Sequence, residues 1–191
     1  MKRLLLILLC FLTLPHAAKK PSPHTKAIAL LKEIKAKGAE EVLARTEGEI
    51  DQKLPQKNSE WQATEWAAIL KGVESGDSLW IEVAKKLFVP AVGSPAADDL
   101  AASLAKALPV APTHVLTLIK GLEIDIGRKA AKYFTSEICS PTCGKDEFVA
   151  MCHRDTTVFK ALQKVRNRKL ASEKKQCLDL IHAHLKFMTP S

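Results

Sequence analysis

The sequence predicts an all-α protein: a compact multi-helix array of about eight to nine short antiparallel helices, stapled by disulfides in its C-terminal part. Three observations predict it. Apolar residues recur at spacings of three and four along nearly the whole chain, the period of a helix buried on one side. No Val-, Ile- or Thr-rich run alternates with period two, as a half-buried strand would. Aromatics make up only 5% of the 191 residues while Ala, Leu and Lys abound, a composition that favours helices over sheets. No fixed-length repeat is visible, which argues against a solenoid.

The opening stretch, MKRLLLILLCFLTLPHAAKK, has the parts of a secretory signal peptide. Lys2 and Arg3 form a positive start, Leu4 to Leu14 an apolar centre, and Ala17 and Ala18 the small residues before a cleavage site. The apolar run falls short of the roughly 20 residues that span a bilayer, so no permanent membrane anchor is expected. Cys10 lies inside the apolar centre behind bulky Leu9, where a lipoprotein signal requires a small residue. Removal of residues 1–18 leaves 173 residues and lowers the net charge from +8 to +6. Such a chain is expected to be a single domain in the periplasm or secreted medium, with no nucleic-acid partner.

Residues 19–24 (KKPSPH) read as a disordered lead-in and residues 25–188 as the helical domain. The first helix carries Ile28, Leu31 and Ile34 with Leu30 beside them, and Gly38 ends it. A second, short helix holds Val42 and Leu43, and the segment Lys53–Lys57, containing Pro55, breaks it. Ser59 and Gln62 form a capping box for a third helix bearing Trp66, Ile69, Leu70 and Val73, closed by Gly76. Asp77 caps a fourth with Leu79, Trp80, Val83, Ala84 and Leu87 inside, stopped at Pro90 and Gly93. Ser94-Pro95 opens a fifth through Leu100, Leu104 and Leu108, and Pro112 or Thr113 a sixth with Val115, Leu116 and Ile119. Residues 121–136 are ambiguous with helix favoured. Further helices are expected at Phe148–Cys152 and from Asp155 to about Lys169. The last runs from about Ser172 to Phe187 with Cys177, Leu178, Ile181 and Leu185 inside.

Within GVESGDSLW lies GDSL, the label of a serine esterase family, and Asp179-Leu-Ile-His182 supplies the matching D-x-x-H. Both are read as chance. The family sets its serine after a buried strand, whereas EWAAILKGVES before Ser78 has helical periodicity. Neither Asn58 nor Asn167 stands in the G-x-N-D context that would supply the oxyanion hole, the largest electrostatic contribution to acyl transfer. With eight Asp and six His, a chance D-x-x-H arises in roughly a quarter of such sequences. No catalytic residue is therefore assigned, and an esterase acting through Ser78 ranks third among the functions considered.

Behind a signal peptide, Cys139, Cys143, Cys152 and Cys177 read as two disulfides. Of three pairings, Cys139–Cys177 with Cys143–Cys152 is preferred: the first ties the loop before the C-terminal helices to the inner stripe of the last one, the second closes a local loop. A Cys₄ zinc site, or one with His153 replacing a sulfur, is the alternative, disfavoured by the C-x₃-C spacing and the oxidising compartment. No metal and no cofactor are expected. Lys160, Lys164 and Arg168 recur every four residues, thickened by Arg166, Lys169, Lys174 and Lys175. This stripe is a solvated helix face or, functionally, a dock for an acidic partner or anionic envelope surface. Trp61, Trp66 and Trp80 are expected at the junction of the third and fourth helices.

Ser75-Gly76-Asp77, Trp80, the Ala-rich helix after it, Ala107-Leu108, Pro112, Val115-Leu116 and the late Cys177-Leu178 together resemble a pattern in small exported all-helical bacterial proteins. The resemblance covers about 120 residues from Trp66 onward; it implies a helical exported domain and brings no activity or site residues with it. The expected function class is a non-enzymatic binding protein, in its concrete form an immunity or inhibitor protein acting on a toxin or envelope hydrolase. An envelope structural or stress accessory protein is the alternative.

Overall fold

The computed structural model describes residues 22–51, 65–140 and 148–188, with side chains described outside 47–51, 148–155 and 184–188. Within them the chain forms α1 (Pro23–Lys37), α2 (Ala39–Asp51), α3 (Glu65–Glu74), α4 (Ser78–Ala91), α5 (Pro95–Ala107), α6 (Pro112–Ile126) and α7 (Arg128–Cys139). It continues through α8 (Phe148–Lys164), a 3₁₀ turn (Arg168–Leu170) and α9 (Ala171–Met188). No strand occurs among the described residues. The expected all-helical array is what forms.

Local chemistry sets most boundaries. Ser22 caps α1, its hydroxyl accepting from Thr25 N at 3.2 Å, with Pro23 in the first turn. Residues 22–24, expected in the lead-in, therefore form the cap and first turn of the helix. Gly76, at φ +74, turns the chain out of α3, and Asp77 accepts from Leu79 N at 2.9 Å to start α4. Pro90 does not stop α4, which runs to Ala91; a proline in the last turn removes only one late intrahelical bond. Gly127, at φ +80, divides the ambiguous segment 121–136 into the end of α6 and the start of α7. The capping box at Ser59 and Gln62, and Trp61, lie outside the described residues.

Packing is organised around α4, which touches α1, α2, α3, α5 and α6. Trp80, Ile81, Val83, Ala84, Leu87, Phe88 and Ala91 are all buried, so α4 is covered on more faces than the single stripe its periodicity predicts, and Leu79 is only half-buried. In α1 the inner stripe is Ala27, Leu30 and Ile34; Ile28, expected inside, is 39% exposed. Trp66 packs from α3 toward α5 and donates its indole N–H to Asp99 Oδ2 at 3.0 Å, while Trp80 is the tryptophan buried where α3 meets α4. Arg45 on α2 forks between Glu65 of α3 and Glu33 of α1, tying the first three helices on their outer side.

The far end is α7, α8 and α9. Cys139, the last residue of α7, is bonded to Cys177 in α9, and both are fully buried beside Ile138 and Ile181. That is the preferred pairing, and it uses two of the four sulfurs that a Cys₄ zinc site would require. The companion pair Cys143–Cys152 lies outside the described residues and side chains.

Candidate functional site

The helices α5 and α7 pack together and begin beside one another. Between their first turns lies an open cleft of about 960 Å³, lined by Val92, Gly93, Ser94, Pro95 and Asp98 on one side. Ile126, Gly127, Arg128, Lys129, Ala130, Tyr133 and Phe134 line the other. Gly93 and Gly127 put no side chain into this space, and a Cβ added at either would meet nothing within 4 Å. Its volume lies in the range of ordinary ligand pockets.

The floor is fixed by aromatic packing. Phe134 is buried and meets Phe88 of α4 edge-on at 4.9 Å. Tyr133 meets Phe134 edge-on at 4.9 Å yet leaves 52% of its surface open. Val92 adds an exposed apolar edge. The Tyr133 hydroxyl donates to Asp98 Oδ1 across a long 3.4 Å.

The charges at the rim are unequally disposed. Asp98 holds the Tyr133 phenol above its usual range, with Glu137 adding to the effect. Burial, and then the charge of Asp98, push the Glu137 carboxyl up as well. Asp98 is the acidic group of the cleft lining. On the other side, Arg128 and Lys129 stand in the first turn of α7, where the helix dipole disfavours positive charge; Arg128 leans out to Glu123 at 2.8 Å. An apolar or aromatic group with polar surroundings fits such a place: rings below, mixed charge around the mouth.

Sequence reasoning named Gly93, Ser94 and Pro95 only as helix boundaries and none of the lining as a site; on the α7 side, segment 121–136 gave no clean period. One local signal was there. Arg-Lys directly after Gly127, with no capping side chain, is a poor helix start that a fold tolerates where the first turn has other surroundings.

The residues that sequence analysis did single out fall elsewhere. Ser78 is the exposed first residue of α4, and its hydroxyl makes no hydrogen bond among the described residues. Asp77 is occupied in capping α4, with its other oxygen 3.6 Å from His24 Nδ1. Asp179 is paired with Lys175 at 2.6 Å, and His182 rests edge-on against Phe159 at 5.1 Å. These contacts sit on α9, which packs on α6, α7 and α8, whereas Ser78 begins α4 beside α1 and α3. The turn before Ser78 joins two helices, not a strand and a helix.

Lys160 and Lys164 lie exposed on α8, but Arg168 does not continue their stripe. The chain leaves the helix at Lys164, and Asn167 caps a separate 3₁₀ turn, accepting from Lys169 N at 3.0 Å. Lys174 folds back and donates to Gln163 O and Val165 O at 3.2 and 3.0 Å, satisfying carbonyls at the end of α8. The expected helix to Lys169 thus ends a turn early, with Leu170 drawn into the core.

No protein-family model, no curated protein and no solved structure matches the chain.

Proposed function

We propose that this chain is an exported helical binding protein with no catalysis of its own, and that it seats an apolar or aromatic anchor of a protein partner in the α5–α7 cleft. The observation that carries the reading is the half-open Tyr133 ring above a floor locked by Phe134 and Phe88. Interfaces draw most of their affinity from a few aromatic anchors in rigid, desolvated pockets. The partner class is a toxin or envelope hydrolase, which makes the chain an immunity or inhibitor protein. In support, Asp77, Asp179 and His182 are each engaged in local structural contacts.

The test is partner capture by tagged protein recovered from the export compartment, comparing the natural chain with Tyr133→Ala and Ser78→Ala. Tyr133→Ala is expected to weaken the complex about thirtyfold, the effect of removing an aromatic hot spot, with the melting temperature lower by only about 2–4 °C for the lost edge contact to Phe134. Ser78→Ala is expected to bind like the natural chain. A complex indifferent to Tyr133→Ala removes the cleft from the reading, and an esterase activity lost in Ser78→Ala removes the non-enzymatic assignment.

A further inference from the structure

A second set of residues, none of them lining the cleft, carries an inference that does not depend on it. Lys160 and Lys164 stand one turn apart on α8, and Arg166, Arg168 and Lys169 come next in the turn toward α9, all exposed. Among the described residues none of the five takes part in an ion pair. Two further cations are held at the same corner: Lys174 at the end of α8, and Lys120 of α6, which donates to Lys169 O at 2.7 Å. Segment 160–175 contains one acidic residue, Glu173.

We propose that this corner is a membrane-adsorbing face, taking the anionic headgroups of a phospholipid surface. Charge complementarity gives the sign of the partner, and the make-up of the face gives its kind. Of the described exposed large hydrophobics (Ile28, Val89, Val92, Val110, Ile124 and Tyr133), none lies in segment 156–183, and Ile124, 87% exposed, stands one turn beyond Lys120 on α6 as a lone aliphatic side chain. Specific protein interfaces have an apolar or aromatic centre and are depleted of lysine there. A cluster of long cations with one isolated aliphatic side chain nearby, and no exposed Phe, Trp or Tyr among the described residues of segment 156–183, matches reversible adsorption to a charged surface, in which each basic residue contributes separately. The break after Lys164 serves this arrangement: it spreads the cations over the end of α8 and the turn beyond it, rather than along one helical line.

The test uses the whole mature disulfide-bonded protein, sedimented with pure phosphatidylcholine vesicles and with phosphatidylcholine–phosphatidylglycerol vesicles over a range of salt. Adsorption is expected to the mixed vesicles only and to fall as salt rises. Lys160→Gln, Lys164→Gln and Arg168→Gln together are expected to weaken partition about a hundredfold, each residue giving about fivefold. The exposed α1 lysines Lys26, Lys32 and Lys35, changed to Gln together, remove the same charge elsewhere and are expected to have a much smaller effect. Equal losses in the two triple variants would reduce the corner to net charge and overturn the proposal. So would adsorption indifferent to lipid charge, no adsorption at low salt, or a corner variant that loses a soluble acidic protein while keeping the vesicles.

Discussion

Replacing Gly72 by alanine sets two opposed effects against each other at one site. Gly72 lies within α3, and an added Cβ there would stand 2.3, 2.6 and 2.8 Å from Cδ2, Cε2 and Cε3 of Trp80. Carbon pairs settle at about 3.5–4.0 Å, so the indole must retreat by about an ångström or α3 must lift off α4. Neither is soft: Trp80 is 4% exposed, and the atoms met are the fused ring rather than a flexible tip. Its indole N–H has no acceptor among the described residues, so the cost falls on packing alone. Overpacking typically costs about 1–3 kcal/mol, and this geometry belongs at the upper end. Alanine returns about 1 kcal/mol by its better helix propensity. The net expectation is a loss of about 2 kcal/mol, read as a melting temperature lower by about 4–8 °C for a chain of this size. Gly121, inside α6, is the internal control. Its added Cβ would meet Asp125 Oδ2 at 3.3 Å and Lys85 Cε at 3.8 Å, both movable ends of side chains. Gly121→Ala is expected to be neutral or stabilising by up to about 1 kcal/mol. Thermal unfolding of both variants decides the matter. If Gly72→Ala is as stable as the natural chain, or if both variants shift alike, the close approach of α3 to the Trp80 ring is refuted.

The Cys139–Cys177 bond closes a separation of 38 residues, for which the loop-entropy relation gives about 4 kcal/mol. Replacing both cysteines by alanine is expected to lower the urea midpoint accordingly, and because both are fully buried, mild reductant without denaturant is expected to leave the bond intact by mass. Asp77→Ala is expected to cost about 1 kcal/mol by uncapping α4, and Ser78→Ala less than about 0.5 kcal/mol; a reversed order in chemical unfolding would count against the capping role. Burial and Asp98 raise the Glu137 carboxyl above its ordinary 4.5, so the folded state holds this proton more tightly than the unfolded one, and stability is lost as pH rises through that window. Glu137→Gln is therefore expected to raise the melting temperature above the window and to make no difference well below pH 4.5; a pH-independent difference would refute it.

How much was legible can be judged residue by residue. Where a boundary depends on one residue's own dihedral preference or capping oxygen, the sequence was sufficient: Gly38, Gly76 with Asp77, and Pro112 stand where their local chemistry requires. The Ser94-Pro95 start was also placed, although the Ser94 side chain makes no capping bond. Helix faces were legible only where one side of the helix is buried. Ile28 turns outward because α1 is covered by α2 and α4 in a direction that favours Ala27, and α4 is buried nearly all round because it is central.

The sequence by itself thus determined the helical class, most of the helix ends and the cysteines available for bridging, since each arises from forces acting within a few residues. The tertiary structure decided which cysteine meets which, where the basic stripe breaks, and that Tyr133 stands over Phe134 at the mouth of a cleft. Those depend on distances between helices far apart in the chain. Such distances are set by how the side chains of many helices fill one core together, which no local window of sequence contains.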